Sequence, residues 1–98
     1  MTYCFDIDGT ICSNTNGHYD QAQPIHERIK IVNKLYDEGN QIIFFTARGT
    51  TTKIDWKELT EKQLKEWNVS FHKLIFGKPE ADLFIDDKGI SDKLFFDN

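Results

Sequence analysis

Residues 3–12 read YCFDIDGTIC, a short apolar run that ends in two aspartates and a glycine. Tyr3 to Ile7 has the composition of a buried strand. In extended backbone Asp6 and Asp8 leave the same side while Ile7 points away. Gly9 lets the chain turn at once and bring backbone N–H groups toward a ligand. Two like charges so placed need a positive partner, or one of them stays protonated.

Outward from this stretch, Ser13 to Gln23 is a polar loop rich in turn formers. Pro24 opens a helix, where its missing N–H costs nothing. Ile25, Ile29, Val32, Leu35 and Tyr36 continue that helix at three- to four-residue spacing, and Gly39 stops it. Gln41 to Phe45 is a second apolar strand, followed by the loop TARGTTTK. Asp55 with Glu58 has the form of a capping box. Leu59, Gln63, Leu64 and Trp67 mark the helix behind it. Phe71 to Phe76 is a third strand, broken by Gly77-Lys78-Pro79, and Asp82 to Ile85 a fourth. The tail ISDKLFFDN is expected to form at most a short turn or helix.

Strands alternating with helices imply right-handed crossovers and a parallel α/β sheet covered on both faces, a three-layer Rossmann-like arrangement of about four strands. The chain of 98 residues fits a single domain over residues 1–98. Ligands in such sheets bind at the carboxyl ends of the strands. Those ends carry Asp6 and Asp8, then Thr46 and Arg48, then Lys78, and finally Asp86 and Asp87. Every strand end bears a polar or charged group.

The net charge of −4 gives no electrostatic footprint for nucleic acid or membrane. No apolar stretch approaches the ~20 residues of a membrane span, and Met1 leads straight into a strand rather than a signal peptide. Cys4 and Cys12 match no zinc spacing; they are expected to be a buried thiol and a loop thiol, kept reduced in a cytoplasmic protein.

If Asp86 and Asp87 converge on Asp6 and Asp8, four carboxylates face only Lys78 and Arg48. A divalent cation restores rough neutrality, and oxygen donors suit Mg²⁺. Phosphoryl transfer needs such positioning and neutralisation. One carboxylate can serve as nucleophile, a second as proton carrier, and a hydroxyl and a lysine can hold the phosphoryl oxygens.

The order of DIDGT, FFTAR, GKP and FIDD resembles the four motifs of the haloacid-dehalogenase-like phosphohydrolases, and together they span residues 6–87. The resemblance implies a Rossmann-like core, Mg²⁺ dependence and hydrolysis of a phosphate ester. Position by position, it implies Asp6 as nucleophile, Asp8 as general acid/base, Thr46 as phosphoryl ligand and Lys78 as neutralising cation. It implies that Gly9, Thr10, Ala47 and Arg48 surround the phosphoryl group. The metal would be held by Asp6, the Asp8 carbonyl and Asp86, and by Asp87 either directly or through water. NTNGHY, TARGT and FIDDK narrow the likeness to the small capless branch described as capsule- or polysaccharide-biosynthesis phosphatases. The short intervals Thr10–His26 and Arg48–Leu59 have no room for a cap domain. With no fifth strand expected, the sheet has an open edge, so a homo-oligomer is expected. The expected partner is a small phosphorylated substrate, with no nucleic acid and no membrane.

Other functions fit less well. A calcium loop would need Gly at Ile11 and Glu at Gly17. A phosphoacceptor receiver domain places its paired acids and single acceptor in the reverse order. A nucleotide or polynucleotide phosphatase would favour a basic groove, and a non-catalytic module would not need all four motifs. His18 and Tyr19, in the loop after the first motif, suit substrate contact and plain exposure equally. His26 and His72 are expected to be structural or surface residues, and Trp56 and Trp67 to be core.

Overall fold

The computed structural model describes residues 1–97. Three parallel strands form the sheet, β1 (Thr2–Phe5), β2 (Gln41–Thr46) and β3 (Lys73–Phe76), in the order β1-β2-β3. Phe5 pairs with Phe44 and Ile42 with Tyr3, while Phe44 pairs with Leu74. This register places Tyr3, Phe5, Ile42, Phe44 and Leu74 on one face. Helix α1 (His26–Asp37) crosses from β1 to β2, and α2 (Lys57–Glu66) from β2 to β3. The short α3 (Asp92–Phe96) follows β3.

Each helix adds buried side chains to a single cluster with Phe5, Ile42 and Phe44: Ile29 and Val32 from α1, Leu64 from α2 and Phe96 from α3. Phe44 and Leu64 are fully buried, each stabilising the fold by roughly 1.5–3 kcal/mol relative to exposure. The surface pairs on α2, Lys57–Glu61 at 4.0 Å and Lys62–Glu66 at 3.9 Å, contribute only about 0.3–0.5 kcal/mol each. Packing, rather than these surface pairs, therefore contributes most to holding α2 in place.

Helix ends follow their sequence signals. Gly39 adopts φ +94° after α1, and the Asn40 N–H reaches back to the Leu35 carbonyl at 3.1 Å. Asn68 takes the same left-handed place after α2, with φ 57°, and Val69 N–H bonds to the Leu64 carbonyl at 3.0 Å. The expected capping box is replaced by a simpler device. Asp55 accepts from the Lys57 N–H at 2.9 Å, while Trp56 occupies the N-cap.

The architecture is a Rossmann-like α/β core with no cap, and it differs from the sequence expectation in two details. Residues 82–85 form no fourth strand; Leu83, Phe84 and Ile85 are exposed. The Phe84 ring instead lies 4.5 Å from the Lys78 ammonium, which holds the segment near the strand ends rather than beside β1. The second detail follows from the first. Right-handed crossovers in the order 1-2-3 place successive helices on the same face, and only a strand returning beyond β1 would reverse that. The opposite face carries Cys4, which is exposed, and Ile75, which is 44% exposed. Cys12 in the following turn is the buried thiol. The tail forms α3, its last residue Asn98 lying outside the described residues.

Among the described residues no helix is long and apolar enough to cross a membrane.

Candidate active site

The chain leaves β1 through a tight turn. Thr10 and Ile11 N–H both bond to the Ile7 carbonyl at 3.0 Å, and Gly9, with φ +82°, donates its N–H to the Cys12 carbonyl at 2.9 Å. Ile7 and Ile11 are fully buried, so the turn is pinned from beneath and Asp6 and Asp8 are left at the surface of the sheet's carboxyl end. Both acids line one cavity of about 790 Å³.

Asp6 faces Lys78 from the end of β3, with Nζ 3.6 Å from Oδ1. Burial raises the Asp6 pKa above the ordinary carboxylate value, and the Lys78 charge offsets this only in part. The Ile7 N–H also favours its ionised form, while Asp8 opposes it. The loop carrying Lys78 is fastened to the end of β2. Lys78 N–H bonds to the Thr46 carbonyl at 3.1 Å, and Thr50 Oγ1 donates to the Lys78 carbonyl at 2.8 Å.

Asp8 is held by Arg48. The guanidinium donates from Nε to Oδ2 and from Nη2 to Oδ1, each at 2.9 Å, a bidentate charge-assisted pair. Arg48 is 2% exposed. Its Nη1 donates to Thr60 Oγ1 at 3.0 Å and to Gln63 Oε1 at 2.6 Å, both on α2. The Tyr19 ring covers the guanidinium at 4.7 Å, and Trp56 meets Tyr19 edge-on at 5.1 Å. Burial, followed by the charge of Asp8, pushes the Cys12 thiol up to about 12, leaving it protonated beside Asp8 Oδ1 at 3.5 Å.

The structure thus brings Asp6, Asp8, Ala47, Arg48 and Lys78 to one cavity, with Asn14, Asn16, Tyr19, Thr51, Thr52, Glu80, Asp82 and Phe84 completing its wall. Several expected roles look different at this resolution of detail. Arg48 grips Asp8 instead of facing open solvent for a phosphoryl group. Thr46 is 1% exposed, and its hydroxyl accepts from the Arg48 N–H at 3.1 Å. The Gly9 N–H is already bonded within its turn, and the Thr10 carbonyl accepts from Arg28 at 3.0 Å. Asn14, Asn16 and Tyr19 do line the cavity. His72 accepts from the Ile42 N–H through Nδ1 at 3.0 Å and stacks on Tyr36, a structural role as expected.

Asp86 and Asp87 are not brought to Asp6 and Asp8. They lie on the exposed stretch after β3, where Asp86 Oδ1 accepts from the Lys88 N–H at 2.9 Å. That hydrogen bond leads the causes that lower the Asp86 pKa. Among the described residues, no three His, Cys, Asp or Glu side chains are gathered to hold a metal ion. The donor set expected for Mg²⁺ is therefore dispersed in this arrangement.

Gln63 and Thr60 were not expected at the site. The available signal was a glutamine within the apolar stripe Leu59, Gln63, Leu64 and Trp67, because a buried polar side chain must find partners.

No family model matches the chain, and no curated protein matches it. Among solved structures it is similar to the crystal structure of a target protein from Vibrio cholerae, with a TM-score of 0.87 and 22% identity over 96% of this chain and 85% of that one. It is also similar to a chain in the structure of a Pnkp1/Rnl/Hen1 complex, with a TM-score of 0.63 and 19% identity. That match covers 96% of this chain and 32% of the other, about a third of its length. Both likenesses are likenesses of fold.

Proposed function

We propose that this chain is a capless phosphomonoesterase of the haloacid-dehalogenase-like type, acting through an aspartyl-phosphate on Asp6. The observation that carries the proposal is the pairing of Asp6 with Lys78 at 3.6 Å beside an Asp8 gripped by Arg48, both acids on one cavity wall. One carboxylate faces the Lys78 ammonium on the cavity wall, which suits attack on a phosphoryl group that the same cation neutralises. The other is fixed in orientation, which suits proton transfer.

In the proposed sequence, an Asp6 carboxylate oxygen attacks phosphorus and the bond to the ester oxygen breaks. The departing ester oxygen takes a proton from Asp8, which enters the cycle as the carboxylic acid, and leaves as the alcohol. A water molecule then gives a proton to the Asp8 carboxylate and attacks phosphorus, releasing phosphate and restoring Asp6. Lys78 offsets the charge of the phosphoryl oxygens throughout. Mg²⁺ belongs to the proposal through donor chemistry alone, since carboxylate and carbonyl oxygens suit it. The dispersed positions of Asp86 and Asp87 supply no geometry for it, and no step above runs through the metal.

The wall of the cavity favours a small, largely neutral alcohol. Among the described lining residues the cations are Arg48 and Lys78, and Arg48 is already engaged by Asp8; Glu80 and Asp82 add negative charge. A polyanionic nucleic acid would meet more repulsion than attraction there. Amides and hydroxyls from Asn14, Asn16, Thr51 and Thr52 suit a polyol, so a sugar phosphate, such as one of polysaccharide biosynthesis, is the favoured substrate class. The proposal includes a homo-oligomer, because β1 and β3 both have an unpaired edge. Assaying phosphate release from sugar monophosphates, nucleoside mono- and triphosphates and a 3′-phosphorylated oligonucleotide tests it. Sugar monophosphates should be the best substrates, and a preference for the oligonucleotide would overturn the assignment.

A further inference from the structure

We infer that Gln63 is a positioning residue which, through Arg48, fixes the Asp8 carboxylate and ties it to the loop that carries Tyr19. This rests on the phosphatase assignment for what Asp8 does, and on geometry alone for how Asp8 is held.

Gln63 lies on α2, and it is only 6% exposed. A buried amide costs stability unless both its ends are satisfied. Here both are. Oε1 accepts from Arg48 Nη1 at 2.6 Å, and Nε2 donates to the Tyr19 carbonyl at 2.6 Å. The orientation of the amide is unambiguous, because a guanidinium can only donate and a carbonyl can only accept. Thr60, one turn earlier, takes the second Nη1 hydrogen at 3.0 Å. With Nε and Nη2 on Asp8 and the Tyr19 ring over its face, Arg48 has no freedom to turn.

The result is a chain of contacts from the cavity wall to the proton carrier: the Tyr19 carbonyl, the Gln63 amide, the Arg48 guanidinium and the Asp8 carboxylate. Neither Gln63 nor Thr60 lines the cavity, so neither touches the substrate. Their effect on turnover has to pass through Arg48. Loss of Gln63 leaves one Nη1 hydrogen unpaired and cuts the tie to the Tyr19 carbonyl, which keeps only the Ala22 N–H at 3.2 Å, and this lets the guanidinium and the carboxylate drift together.

That predicts a selective defect. A leaving group that needs a proton should suffer when Asp8 is loosened, and one that departs as a stable phenolate should suffer much less. With the purified full chain and Mg²⁺, Gln63→Met should lower kcat/KM for an alkyl or sugar phosphate by about 10- to 100-fold, and for p-nitrophenyl phosphate by no more than about threefold. Thr60→Val should show the same selectivity more weakly, and Thr60→Ser, which keeps the hydroxyl, should restore near wild-type values. Equal losses on both substrates, or none, would overturn the inference.

The Arg48 Nε–H resonance provides a readout that needs no turnover. It should be sharp and slowly exchanging in the wild type and broadened in Gln63→Met. If no phosphate ester is turned over but this change is seen, the positioning role stands and the phosphatase assignment fails. An Nε–H signal unaffected by Gln63→Met overturns the positioning role whatever the activity.

Discussion

Asp6 is the residue on which stability and proposed function pull apart. Its pKa is raised in the folded chain because burial outweighs the help from Lys78. A carboxylate whose folded pKa lies above its unfolded value of about 3.9 lowers stability at any pH where it is ionised. That penalty is present in full above the folded pKa and disappears as the pH falls toward the unfolded value. Asp6→Asn should therefore melt at a higher temperature than the wild type at pH 7 in metal-free buffer. The difference should shrink as the pH is lowered toward 4, as followed by circular dichroism; a lower melting temperature at pH 7 would contradict it. The acids at the site were legible in the sequence because a carboxylate at the end of a buried strand has few structural uses. Arg48 was legible only by position. Its inward turn depends on Thr60 and Gln63, which are distant in sequence and adjacent only once α2 packs, so no local pattern announces it.

At the scale of elements, periodicity placed α1 and α2 and the three strands well, since each turns a regular stripe toward the core, only partly buried in β3. It failed at residues 82–85, where Leu-Phe-Ile has a strand's composition but no strand's partner. Composition alone cannot say whether a neighbour offers an edge. The tail gave a weaker signal that the structure resolves as α3, fastened by Phe96 packing on Phe5 with ring centroids 5.9 Å apart. The Arg28–Asp92 pair at 2.7 Å adds to it. The hydrogen bond from Arg28 leads the causes that hold the Asp92 carboxyl below its usual pKa. A depressed acid stabilises the fold above its unfolded pKa and loses that contribution as the pH falls through the folded one. Asp92 is partly exposed, so solvent screening limits the pair to about 0.5–1 kcal/mol. Asp92→Asn should lower stability by about that amount at pH 7 and match the wild type in acid once Asp92 is protonated. Chemical denaturation at the two pH values checks this, and an equal loss at both would show that the charge is not responsible.

For the whole molecule, a sheet packed on one face with both edges unpaired among the described residues sets the oligomer question. Exposed Leu83, Phe84 and Ile85 lie on the segment after β3, and Ile75 faces outward from the sheet. Association would bury such surface, and light scattering after gel filtration should give a mass above 11.5 kDa; a clean monomer would remove the oligomer from the account. The central claim is narrower, that Asp6 is the nucleophile of a metal-dependent phosphatase. Initial rates with p-nitrophenyl phosphate, with Mg²⁺ and with a chelator, for the wild type and Asp6→Asn test it most directly. A nucleophilic Asp6 predicts Mg²⁺-dependent release of p-nitrophenol by the wild type and a loss of at least about a thousandfold in folded Asp6→Asn. Turnover retained in Asp6→Asn, or none by the wild type with Mg²⁺ present, would contradict it.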